Sequence, residues 1–106
     1  MNPLTHSYYS GASDAQIIYE TIGTYFDKIA DMHSANPALV VRHQGVNWTY
    51  GELQARVNRL ATGLIHLGIK PGDRVGIWGP NSSEWVLVQL ATAKIGAIMV
   101  CINPAY

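Results

Sequence analysis

Few residues of this chain have the types and spacing that chemistry requires. The turn Gly76-Ile77-Trp78-Gly79-Pro80-Asn81-Ser82-Ser83 is the first to test. Glycines before a helix can expose backbone N–H groups to a phosphate. The spacing argues against it. A dinucleotide site needs GxGxxG and a P-loop GxxxxGK followed by Ser or Thr, whereas this turn is GxxG. Pro80 removes a donor, and Glu84 places a negative charge in the first helical turn, where it repels an anion. Nucleophilic catalysis needs a Ser or Cys beside a base. The histidines (His6, His33, His43, His66) are scattered, and no GxSxG is present.

Single residues fare no better. Glu52 lies three residues after Thr49, the capping-box spacing, so helix capping explains it. Lys94 falls near a helix C-terminus, where a cation suits the dipole. Cys101 lies in an apolar run and is expected to be a small buried hydrophobe; alone, it excludes an intramolecular disulfide and a cysteine-rich metal site. His33 reads as a packed boundary histidine, with no second ligand at a metal spacing. Asn81-Ser82-Ser83 is a glycosylation sequon that is idle without a secretory signal. The expected site residues are therefore catalytic none, cofactor-binding none and metal none.

The elements that would position these residues are clearer. Residues 74–102 hold an apolar run, a helix-like run stopped by Gly96, and a second apolar run. That pattern predicts a strand, a crossover helix and a parallel strand. Asn81 or Ser82 is the expected helix cap, and the helix is apolar nearly all round, so it should be buried on more than one side. Upstream, Thr21 caps a helix whose face is Ile22, Tyr25, Phe26, Ile29, Ala30 and His33, ending before Asn36-Pro37. Residues 38–42 and 46–49 flank His43-Gln44-Gly45 as a hairpin. Thr49 then caps a helix with the stripe Leu53, Val57, Leu60, Ala61, Leu64 and Leu67, stopped by Gly68. Lys70-Pro71-Gly72-Asp73 is a type II turn. The fold class is α/β: a partial parallel sheet with a βαβ crossover over 74–102, preceded by a helix and a short β-hairpin. Residues 1–20 form an irregular segment, laid over a surface through its tyrosines, and 21–106 are the truncated N-terminal part of a larger domain.

Composition narrows the function classes. Seven basic and seven acidic residues cancel, so no basic face invites nucleic acid. The charged fraction is 13%, about half the roughly 25% usual for a soluble domain. Such a chain is expected to bury much of its surface against its own missing remainder or a partner, the alternative being a compact domain with a Ser/Thr/Asn surface. The first basic residue is Lys28, which fits neither a secretory signal nor an arginine-rich presequence, so a cytoplasmic location is expected. Residues 85–102 are mostly apolar, but Gln89, Lys94 and Gly96 interrupt them; they read as a buried helix and strand, with no transmembrane segment.

Two stretches together resemble a family. WTYGEL (48–53) resembles the first core motif of the adenylate-forming ligases, and ATAKIGAIMVCINPAY (91–106) resembles the second, Lys-x-Gly followed by an apolar strand and a proline. GDRVGIWGPNSSEW (72–85) matches the segment between them, and TIGTYFDKIA (21–30) and ALVVRHQG (38–45) fit the upstream helix and hairpin. VGIWGPNSSEWV, QLATAKIGAI and INPAY look closest to the medium-chain fatty acyl-CoA synthetases. The resemblance implies an AMP-forming acid–thiol ligase: a carboxylate and ATP give an acyl adenylate and pyrophosphate, and CoA then displaces AMP. It also implies ATP, Mg and CoA for the parent enzyme and none of them in this fragment. The Ser/Thr/Gly-rich loop with its lysine, the ribose-holding aspartate and the C-terminal lysine have no match here. Two readings follow: an inactive N-terminal scaffold segment whose partner is the rest of its parent chain, or a non-enzymatic interaction module that pairs through exposed sheet edges. In either, the isolated segment is expected to self-associate through apolar surface.

Overall fold

The computed structural model describes Pro3 and residues 5–106; Met1, Asn2 and Leu4, part of the expected 1–20 segment, lie outside the described residues. The order is α1 (Ile22–Met32), β1 (Pro37–Val41), a 3-10 turn (Arg42–Gln44), β2 (Val46–Thr49), α2 (Tyr50–His66), β3 (Arg74–Trp78), α3 (Ser83–Ile95) and β4 (Ile98–Ile102). The α/β class and the βαβ crossover over 74–102 are as expected. β3 and β4 pair in parallel from Arg74 opposite Ile98 to Trp78 opposite Ile102. β1 and β2 pair antiparallel, with the register shifting between Pro37 and Leu39.

Local chemistry sets the boundaries. The Thr21 hydroxyl accepts from the Thr24 N–H at 3.2 Å and starts α1. At α2 both halves of the capping box form: the Glu52 N–H donates to Thr49 Oγ1 at 3.2 Å, and the Thr49 N–H donates to Glu52 Oε2 at 2.9 Å. Gly68, with φ +93°, ends α2. Its N–H donates to the Ile65 carbonyl at 2.9 Å, and the Ile69 N–H donates to the Leu64 carbonyl at 3.1 Å, so the helix closes in a Schellman motif.

The core lies where α2 crosses α3. Leu53, Val57, Ala61 and Ala91 are buried, and Phe26, Leu39, Trp48, Leu87 and Leu90 pack around them. α3 touches α2, α1 and both strands of the parallel pair, as a helix apolar on all sides should. One face of the parallel pair is bare: Trp78 is 65% exposed, Ile98 47% and Val100 41%. Parallel sheets are ordinarily covered on both faces.

Four details differ from the sequence reading. Ile22, Tyr25 and the expected boundary residue His33 are exposed, and α1 turns Gly23, Phe26 and Ala30 inward. Leu67 is 80% exposed, because it is the C-cap residue and lies past the last turn that packs. Cys101 is exposed, although its register opposite Ile77 puts it on the side of Val75 and Met99, away from Trp78, Ile98 and Val100. Residues 5–20 carry no helix or strand, and Tyr8, Tyr9 and Tyr19 are exposed rather than packed on a surface.

Candidate functional site

The strand-to-helix turn after β3 is closed by the protein itself. Ser82 occupies the N-cap position of α3, but its side chain makes no capping hydrogen bond. Gln44, from the hairpin turn 39 residues earlier, supplies the cap. Its Oε1 accepts the Ser83 N–H at 2.8 Å, and its Nε2 donates to Glu84 Oε2 at 2.8 Å. The Gln44 hydrogen bond is the main reason the Glu84 carboxyl titrates below the usual carboxylate range. Trp85 Nε1 donates to the Gly79 carbonyl at 2.9 Å and fixes the turn from the other side. An incoming phosphate would meet an occupied N–H and an ionised carboxylate, so the turn does not fit the phosphates of ATP.

Lys94 does more than complement a helix dipole. Its Nζ lies 2.6 Å from Asp27 Oδ1 of α1 and also bonds Asn58 of α2. Gln54 of α2 donates to the same Asp27 oxygen at 2.9 Å and to Asp31 Oδ1 at 3.2 Å. Burial pushes the Asp27 carboxyl up, but the hydrogen bonds from Gln54 and Lys94 and the Lys94 charge outweigh it and hold the carboxyl below its ordinary value of 3.8. Sequence reasoning missed both Gln44 and Lys94 as long-range ties.

The other singled-out residues stay apart. Glu52 is engaged in its cap. His33 lies beside Tyr50 with ring centroids 6.5 Å apart, and its ring nitrogen is 3.5 Å from the Asn36 amide. His6, His43 and His66 are exposed on separate elements. Among the described residues, no three His, Cys, Asp or Glu side chains converge to hold a metal ion, and no helix is long and apolar enough to cross a membrane.

Two grooves remain. One of 450 Å³ runs along the outer side of α1; its walls are mostly apolar, from Ile18, Ile22, Phe26 and Ile29, with Glu20 and Thr21 as its polar members beside Tyr25 and Tyr50. The other, 370 Å³, lies between Trp48, Arg56, Arg59, Leu60, Gly63 and Leu87, with the Arg56 guanidinium 4.3 Å over the Trp48 ring. It has cations but no nucleophile, acid or base positioned for a reaction.

Comparison with known proteins supplies what the site does not. The family described as "AMP-binding enzyme" matches residues 26–106. The medium-chain acyl-CoA ligase ACSF2, mitochondrial, of Rattus norvegicus is 43% identical over 100 residues, which is 94% of this chain and 16% of the relative. The Homo sapiens protein of the same name gives the same figures. The solved Mycobacterium tuberculosis fatty acyl CoA synthetase superposes with a TM-score of 0.78 at 36% identity, covering 81% of this chain and 17% of that one. The chain thus spans about a sixth of the length of the curated relatives it matches. The expected cytoplasmic location is corrected by the same comparison, because these relatives are mitochondrial by name. That expectation rested on arginines missing before Lys28, and an absence of that kind carries no information about compartment.

Proposed function

The chain belongs to the AMP-binding enzyme family, with acyl-CoA ligases among its relatives, and from that premise we propose that it is an N-terminal scaffold segment of a fatty acyl-CoA synthetase. The parent joins a carboxylate to CoA at the expense of ATP, releasing AMP and pyrophosphate. Residues 21–106 form the first part of its large domain, and the rest of the parent chain is their principal partner. The names of the relatives favour a mitochondrial parent and a medium-chain acid, which organelle fractionation and assay of the parent with an octanoate-like acid test.

One observation carries the scaffold reading: the polar residues of the family-like stretches are engaged in holding the fold. Thr49 and Glu52 cap α2, Lys94 ties three helices, and Gln44 caps α3. Chemistry with ATP, Mg and CoA then falls to residues beyond this segment, and the segment alone is inactive. An assay for CoA-thioester formation with ATP and Mg checks this. No turnover by the 106 residues, with turnover by the parent, is expected; robust turnover by the segment refutes the scaffold reading.

The open edges of the two-stranded β3–β4 sheet favour a second reading, a non-enzymatic module that pairs through exposed sheet edges. Reading the transcript past Tyr106 separates the two. Continuation into a Ser/Thr/Gly-rich loop with a lysine supports the enzyme, and a stop codon supports the module.

A further inference from the structure

α1 meets the rest of the chain through Gly23, Phe26 and Ala30 and one polar node. Only Gly23 and Ala30 of α1 are buried; Ile22, Tyr25 and Met32 face solvent. The buried cluster of Leu53, Val57, Ala61 and Ala91 contains no residue of α1. At the crossing with α3 the backbones touch, since a Cβ on Gly23 would come within 3.0 Å of Lys94 Cα. From that point the Lys94 side chain, 13% exposed, reaches Asp27 and Asn58 and lies 5.9 Å from the Phe26 ring centroid. The linker after α1 is held separately: the Tyr50 and Gly51 N–H groups donate to the Asn36 and Ser34 carbonyls, each at 3.0 Å.

We propose that the Lys94–Asp27 pair is a latch that docks α1, with the chain before it, onto the α2–α3 pair, and that opening it releases α1 as a unit about residues 33–36. The charges at the node are few. Asp27 and Asp31 come from α1 and Lys94 from α3, while α2 contributes only the neutral Gln54 and Asn58. Removing either partner strands the other in a place built for a pair. The buried side chains of the α2–α3 core, Leu53, Val57, Ala61 and Ala91, all lie outside α1, which adds only Phe26 at their rim. Acid opens the same latch: a carboxyl held below its ordinary value stabilises the docked state at every pH above 3.8, and that stabilisation is lost as pH falls through the lowered value.

Hydrogen exchange of the intact protein tests this, comparing wild type with Asp27→Asn and Lys94→Met at neutral pH. The Asp27 side chain is 41% exposed, so the expected effect is discounted for solvent screening. Amides of α1 should exchange about tenfold faster in both variants, with those of α2 and α3 within about threefold of wild type. Equal loss of protection in all three helices, including global unfolding of either variant, overturns the proposal, and so does unchanged protection in α1. Wild type, after correction for intrinsic exchange, should lose protection in α1 selectively and progressively as pH falls below 3.8; uniform loss in all three helices over that range also counts against the latch.

Discussion

Gly23 and Gly63 make opposite predictions for the same substitution. Both lie within helices, so alanine at either position gains about 0.5–1 kcal/mol of helix preference, less for Gly23 in the first turn of α1. Their surroundings differ. An alanine Cβ at Gly23 would sit 3.0 Å from Lys94 Cα and 3.1 Å from Lys94 Cγ, while at Gly63 it would meet nothing within 4 Å. Carbon atoms pack comfortably at about 3.5–4.0 Å, so α1 and α3 must separate by roughly half an ångström. The nearest atom is backbone and cannot rotate away. Overpacking of this kind costs about 1–3 kcal/mol, which outweighs the helix gain. Gly23→Ala should therefore lose about 1–2 kcal/mol, and Gly63→Ala should gain about 0.5–1 kcal/mol. Urea unfolding followed by circular dichroism reads both as midpoint shifts of opposite sign at constant slope. A midpoint that rises for Gly23→Ala as it does for Gly63→Ala refutes the close crossing of α1 over α3.

Further outcomes follow from the core, the caps and Cys101. Val57→Ala, at a side chain with no exposure, should cost about 2–3 kcal/mol through lost burial and the cavity left between α2 and α3, measured by the same titration. Thr49→Ala breaks the capping box at α2 and should cost about 1 kcal/mol; Thr49→Ser should recover most of it. Cys101 in the native segment should react with a thiol reagent at a rate close to that of the unfolded chain, and strong protection would mean that its face is covered, as self-association would do.

What could be read from the sequence, and what could not, divides by range of interaction. Thr49 and Glu52 are three residues apart, and Pro71-Gly72 needs only its own four-residue window. The turn formed there has Gly72 at φ +87° and the Asp73 N–H donating to the Lys70 carbonyl at 3.0 Å. Such features require no knowledge of the rest of the fold. Gln44 and Ser83 lie 39 positions apart, and Asp27 and Lys94 lie 67 apart. Nothing near Gln44 marks it as a cap for a distant helix. Periodicity located the apolar side of α1 but not its inward direction. That direction is set by the Gly23–Lys94 crossing, which turns Ile22 and Tyr25 toward solvent.

The same division bears on the candidate site. The family-like stretches contain residues that start, stop or tie elements: Thr49 and Glu52 at the start of α2, Gly96 at φ +74° after α3, and Lys94 between three helices. A cap tolerates few residue types because it must satisfy particular N–H or carbonyl groups. That requirement makes the stretches recognisable in order and spacing whether or not they touch a substrate. The turn at Gly79-Pro80-Asn81 shows the converse. Its glycine and its place before a helix resemble a phosphate site, yet the decisive groups are Gln44 and Glu84, whose partnership exists only once the hairpin is folded against α3. Gln44→Ala therefore separates packing from ligand binding: it should lower stability by about 1 kcal/mol through the lost cap, and it should leave the segment without affinity for ATP. Saturable ATP binding by that variant would show that the turn is a phosphate site masked by Gln44, and the scaffold reading of this stretch would fall.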